Sequence, residues 1–335
     1  KKERGIFMKI GIIGSGYMGR LHAKTLSRIP AVKVVAVCSL KSKINVLSED
    51  FKAPQAKIYY NVDEMFEKEI LDAVYICLPP FAHNGELEKP AERRINIFIE
   101  KPIALNSVKA EKMVEAVNKN NVKSQVGFHN RFRYSVRKVK NLISNGKAGK
   151  PVLFTGRFWT QMSGPDWWTC KSKSGGQLFE QGIHIYDIAR FLFGDVKSAN
   201  GMLANLCHKN QKDYDIDDVS VSILNFKNGG VASISTCNTA VPMHYFADFR
   251  AVFSNLTLDY ASTGQNWKNP DTATIYYTNS TSFTTETYVE NSDPYFEESV
   301  DFINSIREDR KTICPIEEGF ESIKLIEKII GGVEK

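Results

Sequence analysis

A glycine-rich hexapeptide near the amino terminus constrains the fold of this chain more than any other feature. Gly14-Ser15-Gly16-Tyr17-Met18-Gly19 follows the apolar run Lys9–Ile13 and leads into an amphipathic segment. Between a strand and a helix, the first glycine of GxGxxG permits a tight turn, the second lets the backbone approach a pyrophosphate, and the third lets the helix pack on the strand. The helix N-terminus then offers free N–H groups to the anion. We predict that residues 14–19 bind a dinucleotide; a glycine turn kept only for packing is the alternative.

Short apolar runs alternate with amphipathic segments through the first part of the chain. The predicted strands are Lys9–Ile13, Val32–Cys38, Ala73–Leu78, Ile95–Ile99 and Lys123–Phe128. The predicted helices between them are Tyr17–Arg28, a short one after Asp63, Asn84–Arg93 and Ser107–Asn120. Such alternation is typical of a parallel sheet covered on both faces. We therefore predict an α/β fold in which residues 8–130 form a Rossmann-type, doubly wound NAD(P)-binding domain.

From residue 131 the pattern changes to alternation with period two. The predicted strands are Val152–Trp159, Val219–Phe226, Val231–Cys237, Asp248–Phe253 and Thr272–Thr278. The predicted helices are Ser135–Asn145, Glu180–Phe193, Pro294–Arg307 and Ile316–Ile330. Asn228-Gly229-Gly230 between two of the strands predicts a hairpin. Residues 131–335 are thus expected to form a substrate-binding α+β domain with a large, mostly antiparallel open sheet, whose last helix is free to pack back on the first domain.

Composition excludes several classes of partner. The 335 residues are 42% hydrophobic and 24% charged, which suits a globular protein of two domains. The net charge of +6 is spread along the chain, so we expect no nucleic-acid partner. No apolar run reaches the roughly 20 residues of a membrane helix, so we expect no membrane partner. The six cysteines contain no CxxC pair, which indicates reduced thiols and a cytoplasmic location.

The end of the second predicted strand bears on which dinucleotide binds. NAD enzymes usually carry Asp or Glu there to bind the ribose 2′-hydroxyl. Here the strand runs into Cys38-Ser39-Leu40-Lys41, without an acid. A small hydroxyl at Ser39 and a cation at Lys41 suit a 2′-phosphate, so the prediction is NAD(P)(H) with a lean to NADP. The alternative is that Lys41 and the nearby Lys43 are exposed to solvent and have no role in cofactor choice.

Two other strand ends carry candidate site residues, because ligands of open α/β sheets bind at the carboxyl ends of strands. Leu78-Pro79-Pro80, with His83 just beyond, is predicted to line the nicotinamide edge, although His83 also suits a helix start. Glu100-Lys101-Pro102 follows the next strand, which places Lys101 at the mouth of the crevice and allows a cis bond before the proline. The other Glu-Lys-Pro triplet, Glu88–Pro90, lies in a predicted helix and is expected to face solvent.

The ordered set of motifs resembles the glucose–fructose oxidoreductase / inositol dehydrogenase / rhizopine-catabolism (Gfo/Idh/MocA) family, from Lys9 to the final helix. The set comprises the GxGxxG turn, the Pro-Pro with His83, Glu100–Pro102, Gly127-Phe128 with Arg131-Phe132, and Gly175-Gly176 followed by Glu180, His184 and Asp187. The resemblance implies a Rossmann domain followed by an α+β domain, whose sheet carries homodimer or homotetramer contacts. It also implies oxidation or reduction of a hydroxyl or carbonyl on a sugar, inositol or related polyol.

The resemblance further implies roles for individual residues. Lys101 matches the family's lysine and His184 its histidine, whereas Glu180 stands where aspartate is common. Glu180, His184 and Asp187 also stand at i, i+4 and i+7 of the predicted helix, on one face. Histidine titrates near neutral pH and can take a hydroxyl proton, so His184 is the candidate acid/base. Glu180 would orient His184 or donate or accept a hydrogen bond with the substrate. Lys101 would stabilise negative charge on the reacting oxygen.

Other candidates and alternatives remain at this point. Trp167 and Trp168 can stack on a sugar ring, and Arg131 is a further candidate substrate contact. Asp187 is a weaker candidate, expected to pair with Arg190 or another cation. His184 could be a satisfied buried histidine, and Glu180, His184 and Asp187 could bind a metal, although we expect none. A hydrolase or epimerase that oxidises its substrate transiently, and a non-enzymatic cofactor-binding regulator, are the alternative functions.

Overall fold

The computed structural model describes residues 7–40, 53, 55–161, 166–242, 244–262 and 270–332. The chain forms two compact units: unit 1 comprises Lys1–His129 with Pro294–Phe320, and unit 2 comprises Asn130–Asp293 with Glu321–Lys335. The break at His129/Asn130 lies next to the position where the sequence pattern changes. Pro294–Phe320, which the sequence pattern assigned to the second domain, belongs instead to unit 1.

Unit 1 contains a six-stranded parallel sheet in the order β3-β2-β1-β4-β5-β6. Its strands are β1 (Met8–Ile13), β2 (Val32–Cys38), β3 (Lys57–Tyr59), β4 (Ala73–Ile76), β5 (Asn96–Ile99) and β6 (Ser124–Val126). Its helices are α1 (Tyr17–Leu26), α2 (Val62–Lys68), α3 (Glu88–Glu92), α4 (Ser107–Asn120) and α8 (Pro294–Arg307). This is the Rossmann strand order, and it confirms the predicted doubly wound domain. The order reverses between β1 and β4, which is where such sheets bind ligands.

The central strands of unit 1 are apolar because both faces of the sheet are covered. All four residues of β4 are fully buried, and Ile10 and Ile12 of β1 are equally inaccessible. Helix α8 adds Phe302 and Ile303 to the same core, which explains why Pro294–Phe320 belongs to this unit. The unpredicted strand β3 is only three residues long, too short for a periodic signal.

Unit 2 contains an eight-stranded sheet in the order β14-β13-β12-β11-β7-β10-β9-β8. Its strands are β7 (Pro151–Gln161), β8 (Val196–Ala204), β9 (Val219–Phe226), β10 (Val231–Pro242), β11 (Tyr245–Phe253), β12 (Leu256–Ala261), β13 (Thr272–Thr278) and β14 (Phe283–Val289). Its helices are α5 (Tyr134–Ser144), α6 (Lys171–Ser174) and α7 (Ile183–Phe193), while α9 (Ile316–Gly331) begins in unit 1 and ends in unit 2. Neighbouring strands are antiparallel except β7 and β10, which run parallel, so the predicted mostly antiparallel sheet is confirmed.

One face of the unit 2 sheet is covered by α7. Burial along β9 alternates with period two, as a half-buried strand requires. Gly156 on β7 lets the helix approach, because a Cβ there would lie 2.5 Å from Cγ2 of Ile185. The predicted hairpin is present, since Phe226 N–H donates to Gly230 O at 2.8 Å in the turn between β9 and β10. Within the described ranges, no helix is long and apolar enough to cross a membrane.

Candidate active site

The glycine turn of unit 1 is tightly packed at Gly14 and Gly19 and open at Gly16. Gly14 has φ +102°, and a Cβ there would collide with the carbonyl oxygen of Cys77. A Cβ on Gly19 would collide with the carbonyl oxygen of Gly14, which explains how closely α1 packs on the turn. At Gly16, by contrast, a Cβ would meet no heavy atom within 4 Å. Because α1 begins at Tyr17 without a side-chain cap, its first N–H groups face this open space, which fits an anion.

Ser39 lies beside the glycine turn, where β2 ends. The hydroxyls of Ser15 and Ser39 are hydrogen-bonded to each other, and both residues are buried. The backbone of Ser39 is fixed as well, since its N–H donates to Tyr59 O at 2.9 Å. Position 39 thus presents a hydroxyl, not a carboxylate, next to the predicted dinucleotide site. Lys41, the predicted partner of a 2′-phosphate, lies outside the described residues.

The segment after β4 also borders the turn. A Cβ on Gly14 would lie 3.3 Å from Cδ2 of Leu78, so Leu78 and the following Pro79 stand next to the glycine turn. A 3-10 turn, Pro80–Ala82, leads from there to His83.

His83 is deeply buried for an ionisable side chain. It is 3% exposed, and neither ring nitrogen has a hydrogen-bond partner among the residues that the structure describes. Burial, together with the smaller effect of the nearby ammonium of Lys109, lowers the pKa of His83 to about 4. The imidazole is therefore neutral at neutral pH, with a donor and an acceptor available to a ligand.

Glu100 of the second Glu-Lys-Pro triplet is held in place on several sides. Its carboxylate lies 2.7 Å from Nε2 of His22, and Lys101 N–H donates to its other oxygen at 3.3 Å. A Cβ on Gly127 would lie 3.0 Å from the carboxyl carbon and from both oxygens, so glycine makes room for this group. The Lys101–Pro102 peptide bond is cis, in the form that the sequence analysis anticipated.

His22 was missed by the sequence analysis. It is fully buried on α1, and its ring packs on Phe98 with centroids 4.8 Å apart. Its ring nitrogen and one oxygen each of Glu100 and Glu298 lie within 4.8 Å of one another, the spacing of metal ligands. The 2.7 Å between His22 and Glu100 is an ordinary hydrogen-bond length, so we interpret the group as a hydrogen-bonded anchor. The position of His22, one helical turn after Gly19, is the sequence feature that could have indicated a place near the glycine turn.

The Arg131–Asp187 ion pair lies in the interior of unit 2. Arg131 donates from Nε and Nη2 to the two carboxylate oxygens of Asp187 at 2.8 and 2.6 Å. Both side chains are at most 2% exposed, and the guanidinium lies 4.7 Å from the centroid of the Phe191 ring. The expected cation partner of Asp187 is thus Arg131, whereas Arg190 donates to Ser322 Oγ at 3.0 Å. Because Arg131 occupies both oxygens of Asp187, the pair suits positioning of α7 better than metal or substrate binding.

Glu180 and His184 lie in two different kinds of helical turn. Leu178–Gly182 is a π-helical turn, and α7 begins only at Ile183. The predicted single α-helix Glu180–Phe193 is therefore wrong at its first turn, which is a π turn with an extra residue. Such insertions are frequent at functional sites. Glu180 and His184 are 8% and 9% exposed, and so both are largely removed from solvent.

The two adjacent tryptophans lie in the 3-10 turn Asp166–Thr169. The rings of Trp167 and Trp168 meet edge to face, with centroids 6.0 Å apart and an interplanar angle of 88°. Both side chains are half-buried. One ring face of each is turned away from its neighbour, which keeps both as candidates for stacking on a sugar.

Comparisons with known proteins agree with this arrangement. Residues 8–128 match the family model described as the oxidoreductase family with an NAD-binding Rossmann fold, and residues 136–258 match the GFO/IDH/MocA C-terminal domain. The oxidoreductase YrbE of Bacillus subtilis (strain 168) is 30% identical over 233 residues, covering 69% of this chain and 67% of that protein. The scyllo-inositol 2-dehydrogenase (NAD(+)) of the same organism is 30% identical over 247 residues, covering 73% and 70%.

A solved structure shows the same fold along nearly the whole chain. Levoglucosan dehydrogenase, in complex with NADH and levoglucosan, superposes with a TM-score of 0.85 at 19% identity, covering 97% of this chain and 96% of that one. The matched domains contain the glycine turn and Lys101 in the first and His184 in the second. On this combined likeness of sequence, motif order and fold, the chain belongs to the Gfo/Idh/MocA family of NAD-binding oxidoreductases.

Proposed function

We propose that this protein is an NAD(P)-dependent dehydrogenase that interconverts a secondary hydroxyl and a carbonyl on a sugar, an inositol or a related polyol. The observation that carries the proposal lies within unit 1. Lys101 follows β5 and the glycine turn follows β1, and only β4 separates these two parallel strands. At about 4.8 Å per strand, the two loops are roughly 10 Å apart at one edge of the sheet. An ammonium group thus stands beside the predicted cofactor site.

Each site residue has its own role in the proposed hydride and proton transfer. When bound, the nicotinamide accepts or returns the hydride. Lys101 stabilises the negative charge that develops on the reacting oxygen. His184 takes the hydroxyl proton during oxidation and returns it during reduction, and Glu180 keeps the imidazole in the tautomer that this task requires. Leu78, Pro79 and His83 line the site of the nicotinamide, and the glycine turn binds the diphosphate.

The proposed substrate class rests on the relatives and on the two adjacent tryptophans. One relative is named for scyllo-inositol and a protein of the same fold was solved with levoglucosan, a sugar anhydride. Both are ring compounds with several secondary hydroxyls. Trp167 and Trp168 supply aromatic faces for such a ring, and Arg131 and Asp187 fix the helix that carries His184.

For the cofactor we propose a preference for NADP. Ser39 stands where an acid would bind the ribose 2′-hydroxyl of NAD, and its hydroxyl bonds to Ser15 in the glycine turn. A 2′-phosphate meets no carboxylate at position 39. Lys41 follows two residues later and supplies a cation.

We also propose that the protein is a homodimer or homotetramer through the sheet of unit 2. Met202 on β8 and Val221 on β9 are paired neighbours, and they are 79% and 52% exposed. Ile223, two residues further on the same face, is 55% exposed. Apolar side chains in such a row are typical of a face that another subunit covers. Light scattering of the purified protein tests this, and a monomer at micromolar concentration would refute it. None of the six cysteines, all of which lie in the described residues, forms a disulfide, and this supports a reducing compartment such as the cytoplasm.

The decisive experiment is a substrate screen with both cofactors. Purified full-length protein is incubated with inositols, aldoses and keto-sugars, and the absorbance of the reduced nicotinamide is followed. We expect stoichiometric reduction or oxidation of the cofactor with at least one compound. Product formation without net cofactor turnover would instead favour a hydrolase or epimerase that oxidises its substrate transiently. Cofactor binding without any product would favour a regulator.

A further inference from the structure

Gln177 is a buried amide whose hydrogen-bonding groups are unused within the described chain. The residue is 1% exposed, and neither Oε1 nor Nε2 has a partner among the residues that the structure describes. Burying such a group without hydrogen bonds costs about 1–3 kcal/mol, so its bonds are completed by a bound water, ion or ligand. Gln177 directly precedes the π-helical turn that carries Glu180, and so it belongs to the local structure of the proposed site.

Three contacts define the surroundings of Gln177 and of the π-helical turn that follows it, which we call this corner of unit 2. A Cβ on Gly176 would lie 4.0 Å from Ile216, and a Cβ on Gly182 would lie 3.1 Å from Thr236 of β10. Asn238, two residues further on the buried face of the same strand, donates its backbone N–H to Asp218 O at 2.8 Å. The π-helical turn is thus bounded on one side by the segment at Ile216 and on the other by β10.

Two further buried polar groups at this corner resemble Gln177. Asn238 is 1% exposed and uses Nδ2 for the Tyr214 hydroxyl at 3.2 Å, while its Oδ1 has no partner in the described part of the chain. The indole N–H of Trp168 likewise has none there. Its 3-10 turn is tied to the segment before Ile216, because Asp215 N–H donates to Thr169 O at 3.1 Å.

All of these unused groups are uncharged. We infer that Gln177 and Asn238 bind hydroxyls of an uncharged polyol, and that they exclude sugar acids; this inference rests on the proposed function and narrows its substrate class. An amide donates and accepts, so it matches a pair of adjacent hydroxyls, each of which does the same. A substrate carboxylate would meet amides that cannot neutralise it, and it would lie near the carboxylate of Glu180, three residues after Gln177. Desolvating that charge without a cation is costly.

The test uses binding, so that it does not depend on turnover. The thermal midpoint of the protein with its cofactor is measured alone and with scyllo-inositol, D-glucose or D-glucuronate, where glucose and glucuronate differ only at the exocyclic carbon. We expect a rise with at least one neutral compound and none with glucuronate. Gln177→Met keeps the length of the side chain and removes its hydrogen-bonding groups. It should raise the dissociation constant of the neutral ligand about tenfold or more, which corresponds to the loss of one or two hydrogen bonds.

The ligand-free midpoints supply an independent readout. Gln177→Met removes an amide that lacks partners, so the midpoint should stay the same or rise. Gln125→Leu is the matched control: Gln125 is equally buried and its Oε1 also lacks a partner among the described residues, but its Nε2 donates to Glu298 O at 2.6 Å, so its loss should lower the midpoint. Asn238→Ala gives a second binding test, in which ligand affinity should also fall.

The outcomes separate the inference from the proposed function. Unchanged affinity in Gln177→Met and Asn238→Ala, or equal stabilisation by glucuronate and glucose, overturns the inference alone. Absence of any thermal shift with the three compounds also overturns it, whereas the dehydrogenase proposal falls only if the wider cofactor-turnover screen is negative too.

Discussion

Nε2 of His22 lies 2.7 Å from Oε1 of Glu100, and this buried pair connects the helix after the glycine turn to the residue that precedes Lys101. His22 is fully buried and Glu100 is 5% exposed, so water does not compete for the bond. Both residues belong to unit 1. The helix after the glycine turn and the loop that carries the proposed catalytic lysine are thus joined by one buried hydrogen bond.

This coupling predicts that His22 acts on the rate through the position of Lys101. His22→Phe fills the same space among aromatic rings but cannot hydrogen-bond to Glu100. We expect kcat to fall about tenfold to a hundredfold, because Lys101 would then be displaced from its catalytic position. KM for the cofactor should stay within about twofold, because the glycine turn is intact. His22→Gln restores a donor and should recover most of kcat. A His22→Phe enzyme with wild-type kcat would contradict the coupling.

The two Glu-Lys-Pro triplets supply a matched pair of lysines. Lys101→Ala should lower kcat by about 10²–10⁴-fold, the range for loss of a positioned catalytic group, and His184→Ala should do the same, both without weakening cofactor binding measured by fluorescence titration. Lys89→Ala is the control: Lys89 pairs with Asp63 at 2.7 Å on the surface, and such pairs contribute at most about 1 kcal/mol. Near-wild-type turnover in Lys101→Ala and His184→Ala would refute their roles.

The neutral state of His83 predicts acid sensitivity. The pKa of His83 is lowered to about 4 in the folded protein, from about 6.5 in the unfolded chain. Between these values the unfolded chain binds a proton that the folded protein does not, so stability is present above pH 6.5 and is lost as the pH falls towards 4.

For this group alone, the free energy of unfolding should fall by about 2 kcal/mol between pH 7 and pH 5. Urea denaturation at the two pH values measures the change in the wild type and in His83→Asn, which cannot titrate. The difference between the two proteins isolates the contribution of His83. An equal pH dependence in both would show that His83 is protonated normally in the fold.

Much of the architecture was readable from the sequence, because the responsible signals are local. The apolar runs of β1, β2 and β4 and the glycine turn specify the Rossmann unit, and period-two alternation specifies the sheet of unit 2. The missed strands lack those signals: β8 contains Asn200-Gly201, which is typical of a turn, and β14 is an exposed, polar edge strand.

The site was less readable, because its bonds join distant positions. His22 and Glu100 are 78 residues apart, and Arg131 and Asp187 are 56 apart. The helix pattern allowed Arg190 or another cation as the partner of Asp187, and it could not indicate that this cation is the distant Arg131. The extra residue of the π turn before α7 has no counterpart in the hydrophobic pattern, so the sequence predicted one continuous α-helix from Glu180. Gln177 carries no motif at all.

The Arg131–Asp187 pair should be structural, and its loss should reduce stability more than substrate affinity. Removing one partner of a buried ion pair leaves an uncompensated charge, which costs about 3–5 kcal/mol. We expect this loss in the free energy of unfolding for Arg131→Met, measured by urea denaturation. Lys68→Ala, which breaks an exposed pair with Glu64 at 2.6 Å, should cost less than about 1 kcal/mol. If Arg131→Met instead leaves stability unchanged and raises KM for the polyol, then Arg131 contacts substrate directly.

Ser39 offers the sharpest test of cofactor preference. Ser39→Asp places a carboxylate where it can accept a hydrogen bond from the ribose 2′-hydroxyl of NADH and where it repels a 2′-phosphate. We expect KM for NADPH to rise about tenfold or more and KM for NADH to fall, since one charge repulsion and one hydrogen bond are each worth about 1–2 kcal/mol. Ser15→Ala removes the hydrogen bond to Ser39 without adding a charge, so it should leave the ratio of the two KM values unchanged. A wild-type protein that already prefers NADH would refute the proposed preference before any substitution is made.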